Sequence, residues 1–163
     1  MSSSSSTPPT DPARPVASAA TTVGADQPLL AGVDLFRDID LDELRRLERL
    51  GRRRQYAAGE TIVSQGQSGI ALFMVTRGQV RVTQRAASGE ERELRLIGPG
   101  GAFGEMALLA NRRRSATITA VEPTECLALH RLDFLDELRR HPELAIRLLE
   151  TLSQRLGDAE QRT

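Results

Sequence analysis

One stretch of the chain departs from the pattern on either side of it, and it reads Phe103-Gly104-Glu105-Met106-Ala107-Leu108-Leu109-Ala110-Asn111-Arg112-Arg113-Arg114-Ser115-Ala116-Thr117-Ile118. The flanking residues alternate apolar and polar side chains in short runs, as half-buried strands do. Within the stretch, a glycine precedes several good helix formers, which predicts a single helical turn inserted into a β-structure. The first N–H groups of such a turn have no partners within the helix, so they favour an anion.

Two charged residues at the ends of this turn are candidates for contacting a nucleotide. Glu105 stands at the start, where the helix dipole favours a carboxylate and where the carboxylate can accept hydrogen bonds from ribose hydroxyls. Arg114 stands at the far end, where its guanidinium can fold back and bind a phosphate through two hydrogen bonds. A carboxylate for the sugar and a guanidinium for the phosphate predict a nucleotide ligand. We interpret Arg112 and Arg113 as surface charge.

Short strands surround this stretch on both sides. Turn residues separate apolar runs that predict strands over residues 61–63, 70–75, 80–83, 91–97, 115–121 and 125–129. The two runs on either side of Gly78 are predicted to form a β-hairpin. The three arginines at residues 52–54 are predicted to lie on an exposed strand.

Helical periodicity marks the two ends of the domain. Asp40 and Glu43 have the spacing of a capping box and predict a helix that runs to about Leu50. Apolar residues at helical spacing near the end of the chain predict two more helices, divided by Pro142. This order of elements is typical of an antiparallel β-roll or jelly roll with flanking helices. We therefore predict a mainly β domain over residues 28–163 after a disordered tail, residues 1–27, rich in Ser, Thr, Pro and Ala.

Composition argues against several functional classes. The 22 basic and 22 acidic side chains leave no net charge to attract nucleic acid or an anionic membrane. One cysteine and two histidines provide neither a disulfide framework nor a set of metal ligands. The sequence shows no run of apolar residues long enough to cross a membrane, and we expect a cytoplasmic protein. No catalytic constellation is present, so we expect no enzymatic activity.

The stretch that begins at Phe103 resembles the phosphate-binding segment of cyclic nucleotide-binding domains. That segment reads Phe-Gly-Glu, an aliphatic residue, Ala-Leu-aliphatic, a short gap, then Arg and two small residues. The resemblance extends from about Leu29 to the end of the chain. It implies that Glu105 binds the ribose 2′-hydroxyl and that Arg114 binds the exocyclic phosphate oxygens. The ligand-binding residues that it implies are Phe103, Gly104, Glu105, Met106, Ala107, Arg114, Ser115 and Ala116, with backbone or hydroxyl donors near Gly104, Ala107 and Ser115.

Two positions depart from the family pattern. Arg113 stands where many relatives have proline, which is expected to alter the rigidity of the loop more than its contacts. The turn at residues 65–70 lacks the acidic residues often present there, which leaves open how this turn packs against the site. Ser115 occurs in relatives of both ligand classes and does not separate cyclic AMP from cyclic GMP.

The resemblance implies a regulatory module that binds a cyclic nucleotide, with cyclic AMP placed ahead of cyclic GMP, and that signals to an effector protein by moving its C-terminal helices. The leucine stripe at residues 144–156 either packs on the roll or pairs with its counterpart in a homodimer. No nucleic-acid binding is expected of this chain alone. Two alternatives are a protein-interaction module of the same fold that binds no nucleotide, and the sensory part of a transcription regulator without its DNA-binding domain.

Overall fold

The computed structural model describes residues 27–161, so the tail predicted over residues 1–27 lies outside the described residues except for Gln27. Two short 3-10 helices, Leu29–Gly32 and Asp34–Phe36, precede helix α1 (Leu41–Arg49). Eight strands follow: β1 (Arg52–Tyr56), β2 (Thr61–Val63), β3 (Ala71–Arg77), β4 (Val80–Arg85), β5 (Glu91–Ile97), β6 (Ala102–Phe103), β7 (Thr117–Ala120) and β8 (Thr124–His130). The four-residue helix α2 (Met106–Leu109) separates β6 from β7, and α3 (Arg131–Arg140) and α4 (Pro142–Gln161) follow β8.

The strands form two antiparallel four-stranded sheets, in the order β1-β8-β3-β6 and β2-β7-β4-β5. Apolar side chains at alternate positions of both sheets point between them and form the inner core of the roll. This core contains Val75, Val80, Val82, Ile97, Phe103, Ile118 and Cys126. The predicted mainly β jelly roll with flanking helices is confirmed.

A second core lies between the outer face of the first sheet and the helices. Leu72 and Met74 point out of β3 toward this core, because neighbouring residues of a strand face opposite sides of the sheet. Phe36 and Phe134 meet there edge to face, with their ring centroids 5.7 Å apart. Leu144 and Leu148 of α4 are buried in the same cluster. The helices are therefore packed against the sheet that carries the start of the α2 segment.

The predicted capping box does not form. Helix α1 begins where expected, at Leu41, but the Asp40 side chain makes no capping hydrogen bond. Instead, an Asp40 carboxylate oxygen lies 3.4 Å from Nη1 of Arg147 on α4. The carboxylate thus pairs with a cation from another helix and does not cap the backbone N–H groups of its own helix.

The hairpin predicted across Gly78 is also wrong. Strands β3 and β4 belong to different sheets, and the hairpin of this region is the antiparallel pair β4 and β5. Gly78 has φ +84°, and a side chain there would collide with the backbone of Pro123 and Thr124. The chain therefore crosses from one sheet to the other at Gly78 instead of folding back on itself.

In the part of the chain that the structure describes, no helix is long and apolar enough to span a membrane.

Candidate functional site

The segment around α2 encloses a hollow of about 260 Å³. Four of its lining residues come from the start of α2 and four from the turn before β7. The α2 hollow is lined by Gly104, Glu105, Met106, Ala107, Arg112, Arg113, Arg114 and Ser115. Six of the eight predicted ligand-binding residues are in this set, and they include both charged residues on which the nucleotide prediction depends.

Gly104 is needed because the Arg114 side chain passes directly over it. Its φ of +83° is unfavourable for any residue with a Cβ. A Cβ at Gly104 would also collide with Nη1 of Arg114 and approach the Ala71 carbonyl oxygen to 3.0 Å. The glycine of the Phe-Gly-Glu sequence thus makes room for the arginine ten residues further along the chain.

The backbone of Arg114 is held by the turn between β2 and β3. The Arg114 N–H donates to the Gln67 carbonyl at 2.7 Å, and the Gly66 N–H donates to the Arg114 carbonyl at 2.8 Å. The Gly69 N–H donates to the Arg112 carbonyl at 3.1 Å. The turn at residues 65–70, whose packing the sequence leaves open, therefore lies alongside the arginine segment and fixes its path.

The Arg114 side chain is half-buried and meets only neutral groups. Its Nη2 donates to the Ala71 carbonyl at 2.7 Å, and its guanidinium carbon lies 5.9 Å from the centre of the Phe73 ring. Among the described residues, no carboxylate lies within ion-pair distance of it. Burial lowers the pKa of Arg114 from its ordinary value, because a low-dielectric environment disfavours the charged form. The remaining donors of the guanidinium are available to an anion.

Glu105 lies immediately before α2 and is about one-third exposed, at 34% of the side-chain area. One carboxylate oxygen is 4.0 Å from Nη1 of Arg155 on α4. The other end of the same guanidinium lies 2.9 Å from a carboxylate oxygen of Asp34. Arg155 thus connects the α2 hollow with the last helix and with the first turns of the domain.

The other predicted site residues occupy different environments. Phe103 and Ala116 pack into the inner core of the roll and do not line the α2 hollow. Ala107 is buried at 4% exposure, whereas Met106 is 44% exposed. The Ala107 N–H already donates to the Gly104 carbonyl at 3.0 Å, so it is not free for a ligand. In the described part of the chain, the N–H groups of Glu105 and Met106 have no acceptor, and they are the better candidates for donors.

Several residues at the site were not predicted from the sequence. Gly69, Ala71 and Phe73 contact the Arg114 guanidinium, and Arg155 approaches Glu105. They lie 41 to 50 residues from the arginine or glutamate that they contact. Their sequence positions carry no signal of their own. A buried strand residue and a helix arginine look alike whether or not a binding site lies beside them.

A second cavity, of about 440 Å³, lies between the two sheets. Its walls come from β1, β3 and β8 on one side and β2 on the other, and both Phe73 and Arg114 line it. Arg114 therefore lies between this roll cavity and the α2 hollow.

Within the described residues, no group of three or more His, Cys, Asp or Glu side chains could hold a metal ion.

Known proteins resemble this chain in sequence and in fold. The sequence profile described as "Cyclic nucleotide-binding domain" matches residues 53–141. The chain is 42% identical to the cyclic AMP receptor protein of Thermus thermophilus over 80% of its own length and 61% of that protein. It is 39% identical to a cGMP-dependent protein kinase of Drosophila melanogaster over 64% of its own length and 14% of the kinase.

The structure resembles that of the N-terminal domain of a transcriptional regulator from Streptomyces coelicolor A3(2). The TM-score is 0.76 at 30% identity, and the match covers 83% of this chain and 94% of that one. The chain spans less than two-thirds of the length of the curated relatives named above.

Proposed function

Since the chain belongs to the cyclic nucleotide-binding domain family, we propose that it is a sensor that binds cyclic AMP in the α2 hollow and signals through its last helix. The half-buried guanidinium of Arg114, beside the hollow and with no acidic partner in the described residues, carries this proposal. A cyclic phosphate supplies the negative charge that this position lacks. The exocyclic oxygens are the atoms that Arg114 would bind.

Glu105 is proposed to accept a hydrogen bond from the ribose 2′-hydroxyl. It lines the same hollow as Arg114 and retains exposed area for a ligand. Cyclic AMP is proposed ahead of cyclic GMP because the Thermus thermophilus relative, at 42% identity, is named a cyclic AMP receptor. The Drosophila melanogaster relative is named for cyclic GMP, so the base requires a direct comparison.

Isothermal titration calorimetry with cyclic AMP, cyclic GMP and linear 5′-AMP tests the ligand. We expect the cyclic nucleotides to bind more tightly than the linear one, and cyclic AMP to bind most tightly. Tighter binding of cyclic GMP would contradict the proposed adenine base but would still support the proposed binding site. No binding of any of the three to folded protein would favour the alternative of an interaction module that uses no nucleotide.

Signalling is proposed to pass through Arg155. A ribose that takes the Glu105 carboxylate competes with Arg155 for it, so ligand occupancy and the position of α4 become thermodynamically linked. An effector protein would respond to the changed position of this helix. Amide hydrogen exchange with and without cyclic AMP is expected to change in α4, and unchanged exchange in α4 at saturating ligand would contradict this route.

A second copy of the chain is the proposed partner of the outer face of α4. Leu144 and Leu148 are buried against the roll, whereas Ile146, Leu149 and Leu156 are 55%, 65% and 67% exposed. Their spacing of three and seven residues places the exposed side chains on one helix face. One face of α4 therefore packs on the roll, and the proposed homodimer would use the other face.

A second candidate function is the sensory part of a transcription regulator. The likeness to the N-terminal domain of the Streptomyces coelicolor A3(2) regulator favours it. It requires the same ligand site and differs only in the receiver of the signal, which would be a DNA-binding polypeptide. We do not propose that this chain itself binds DNA. Titration of the chain with a DNA duplex is therefore expected to show no binding.

A further inference from the structure

Four neutral residues surround the Arg114 guanidinium, namely Gly69, Ala71, Phe73 and Gly104. Gly69 and Gly104 leave space for it, since a Cβ at Gly69 would come within 2.7 Å of the Arg114 Nε. The Ala71 carbonyl accepts its hydrogen bond, and the Phe73 ring lies 5.9 Å from its central carbon. Of these groups, the ring is the one that a substitution can remove without altering the backbone.

The Phe73 ring is itself fixed by the site segment. It stacks on the Phe103 ring with a centroid distance of 5.1 Å and an angle of 13° between the ring planes. Phe103 directly precedes Gly104 and Glu105, which line the α2 hollow. The contact of Arg114 with Phe73 and the stacking of Phe73 on Phe103 therefore connect Arg114 to the segment that carries Glu105.

We propose that Phe73 is a positioning residue for ligand binding: its ring holds the Arg114 guanidinium in the orientation that meets the phosphate. This rests on the proposed binding of a cyclic nucleotide. Ordering a long arginine side chain costs conformational entropy. Contact with the ring already orders Arg114 in the free protein, so ligand binding does not carry that cost.

Because the groups around Arg114 are neutral, none of them competes with the ligand for its positive charge. A carboxylate beside Arg114 would hold the side chain in place but would also compete with the phosphate for it. The turn at residues 65–70 contains no acidic residue. A ring face attracts a cation through its quadrupole without neutralising it, so the whole positive charge of Arg114 remains available to the ligand.

Replacement of the ring tests the proposal. Phe73→Leu is expected to weaken cyclic AMP binding about three- to tenfold, and Phe73→Tyr, which keeps the ring, is expected to bind as the parent does. Phe36→Leu is the matched control, because it makes the same change in the helical core, away from Arg114. That control is expected to lower thermal stability and to leave the affinity of the folded protein unchanged.

A spectroscopic readout separates positioning from general loss of packing. The ring current of Phe73 should displace the Arg114 Nε–Hε resonance, which is assigned by its disappearance in Arg114→Lys. This resonance should move in Phe73→Leu and stay in place in Phe36→Leu. If Phe73→Leu does not fold, pentafluorophenylalanine at position 73 keeps the shape of the ring and removes its negative face, and it should weaken binding similarly.

The outcomes distinguish this proposal from the proposed function. If the parent binds cyclic AMP and the folded Phe73→Leu variant, or the fluorinated one, binds it equally well, Phe73 is not a positioning residue, although the nucleotide site stands. If the parent binds no nucleotide, the proposed function fails and the positioning role fails with it. An Arg114 resonance that does not respond to Phe73→Leu would overturn the contact on which the proposal rests.

Discussion

Glu105 shows how much of the site a single residue can reveal and how much it cannot. Its position before a short helix, at a fixed spacing from Arg114, was sufficient to predict that both would line one hollow. The partner that it approaches in the structure, Arg155, was not predictable, because Arg155 lies 50 residues further along and the docking of its helix α4 depends on the packed core. Local spacing therefore predicts what one segment places together, and packing decides the rest.

The role of Glu105 can be tested with a matched pair of ligands. Glu105→Ala is expected to weaken binding of cyclic AMP about ten- to hundredfold, because the charged acceptor of the hydrogen bond is removed. The parent is expected to discriminate against 2′-deoxy-cyclic AMP by a similar factor. In Glu105→Ala this discrimination should largely disappear. If it persists, the carboxylate does not bind the 2′-hydroxyl.

Cys126 gives a test of the inner core that needs no ligand. It is fully buried, and burial raises the pKa of its thiol to about 11. A disulfide reagent at pH 8 should therefore react with it only after unfolding, since the thiolate is the reactive form. Below the unfolded pKa of about 8.5 the thiol does not affect stability, and stability should decline as the pH rises from there toward 11. Rapid labelling of the native protein would contradict a packed roll.

At the level of the elements, sequence patterns located the strands far better than they paired them. The strands β2 and β5 have the predicted bounds, and α3 and α4 meet at Pro142 as expected. The pairing across Gly78 failed because alternation identifies a half-buried strand without identifying its neighbour. The two-residue strand β6 was hidden between the glycines before it and α2. Neighbours are selected by the long-range register with β8, which no local window contains.

Glu137 of α3 connects two helices and offers a test of their packing. It is 5% exposed and accepts hydrogen bonds from Nε of Arg46 at 2.7 Å, while Nε2 of His141 lies 3.2 Å away. Glu137→Ala leaves Arg46 without its partner and is expected to reduce the free energy of unfolding by about 1–3 kcal/mol. Glu143→Ala, at an exposed position of α4, is the control and should change it little. Equal denaturation midpoints for both variants would show that the buried pair is not stabilising.

For the whole molecule, the 22 acidic and 22 basic residues balance, so net charge does not drive two copies of the chain together. Association of two copies would therefore depend on exposed apolar side chains. The exposed side chains of α4 are the strongest candidate for it. Leu149→Glu places a charge in the middle of that face and is expected to convert a dimer to a monomer in sedimentation velocity experiments. Gln154→Glu adds the same charge on the side of α4 that faces Asp38 and should leave the dimer intact. A parent that is monomeric at high concentration would remove the proposed dimer.

The affinity of cyclic AMP for Arg114→Ala, measured by calorimetry beside the parent, tests the central claim most directly. Removing the guanidinium leaves the phosphate unpaired and is expected to cost about 2–4 kcal/mol, a loss of about 30- to 1000-fold. Arg52→Ala removes an equal charge from an exposed position of β1 and should bind as the parent does. Equal affinities of the parent and Arg114→Ala would show that the phosphate is not bound by this residue.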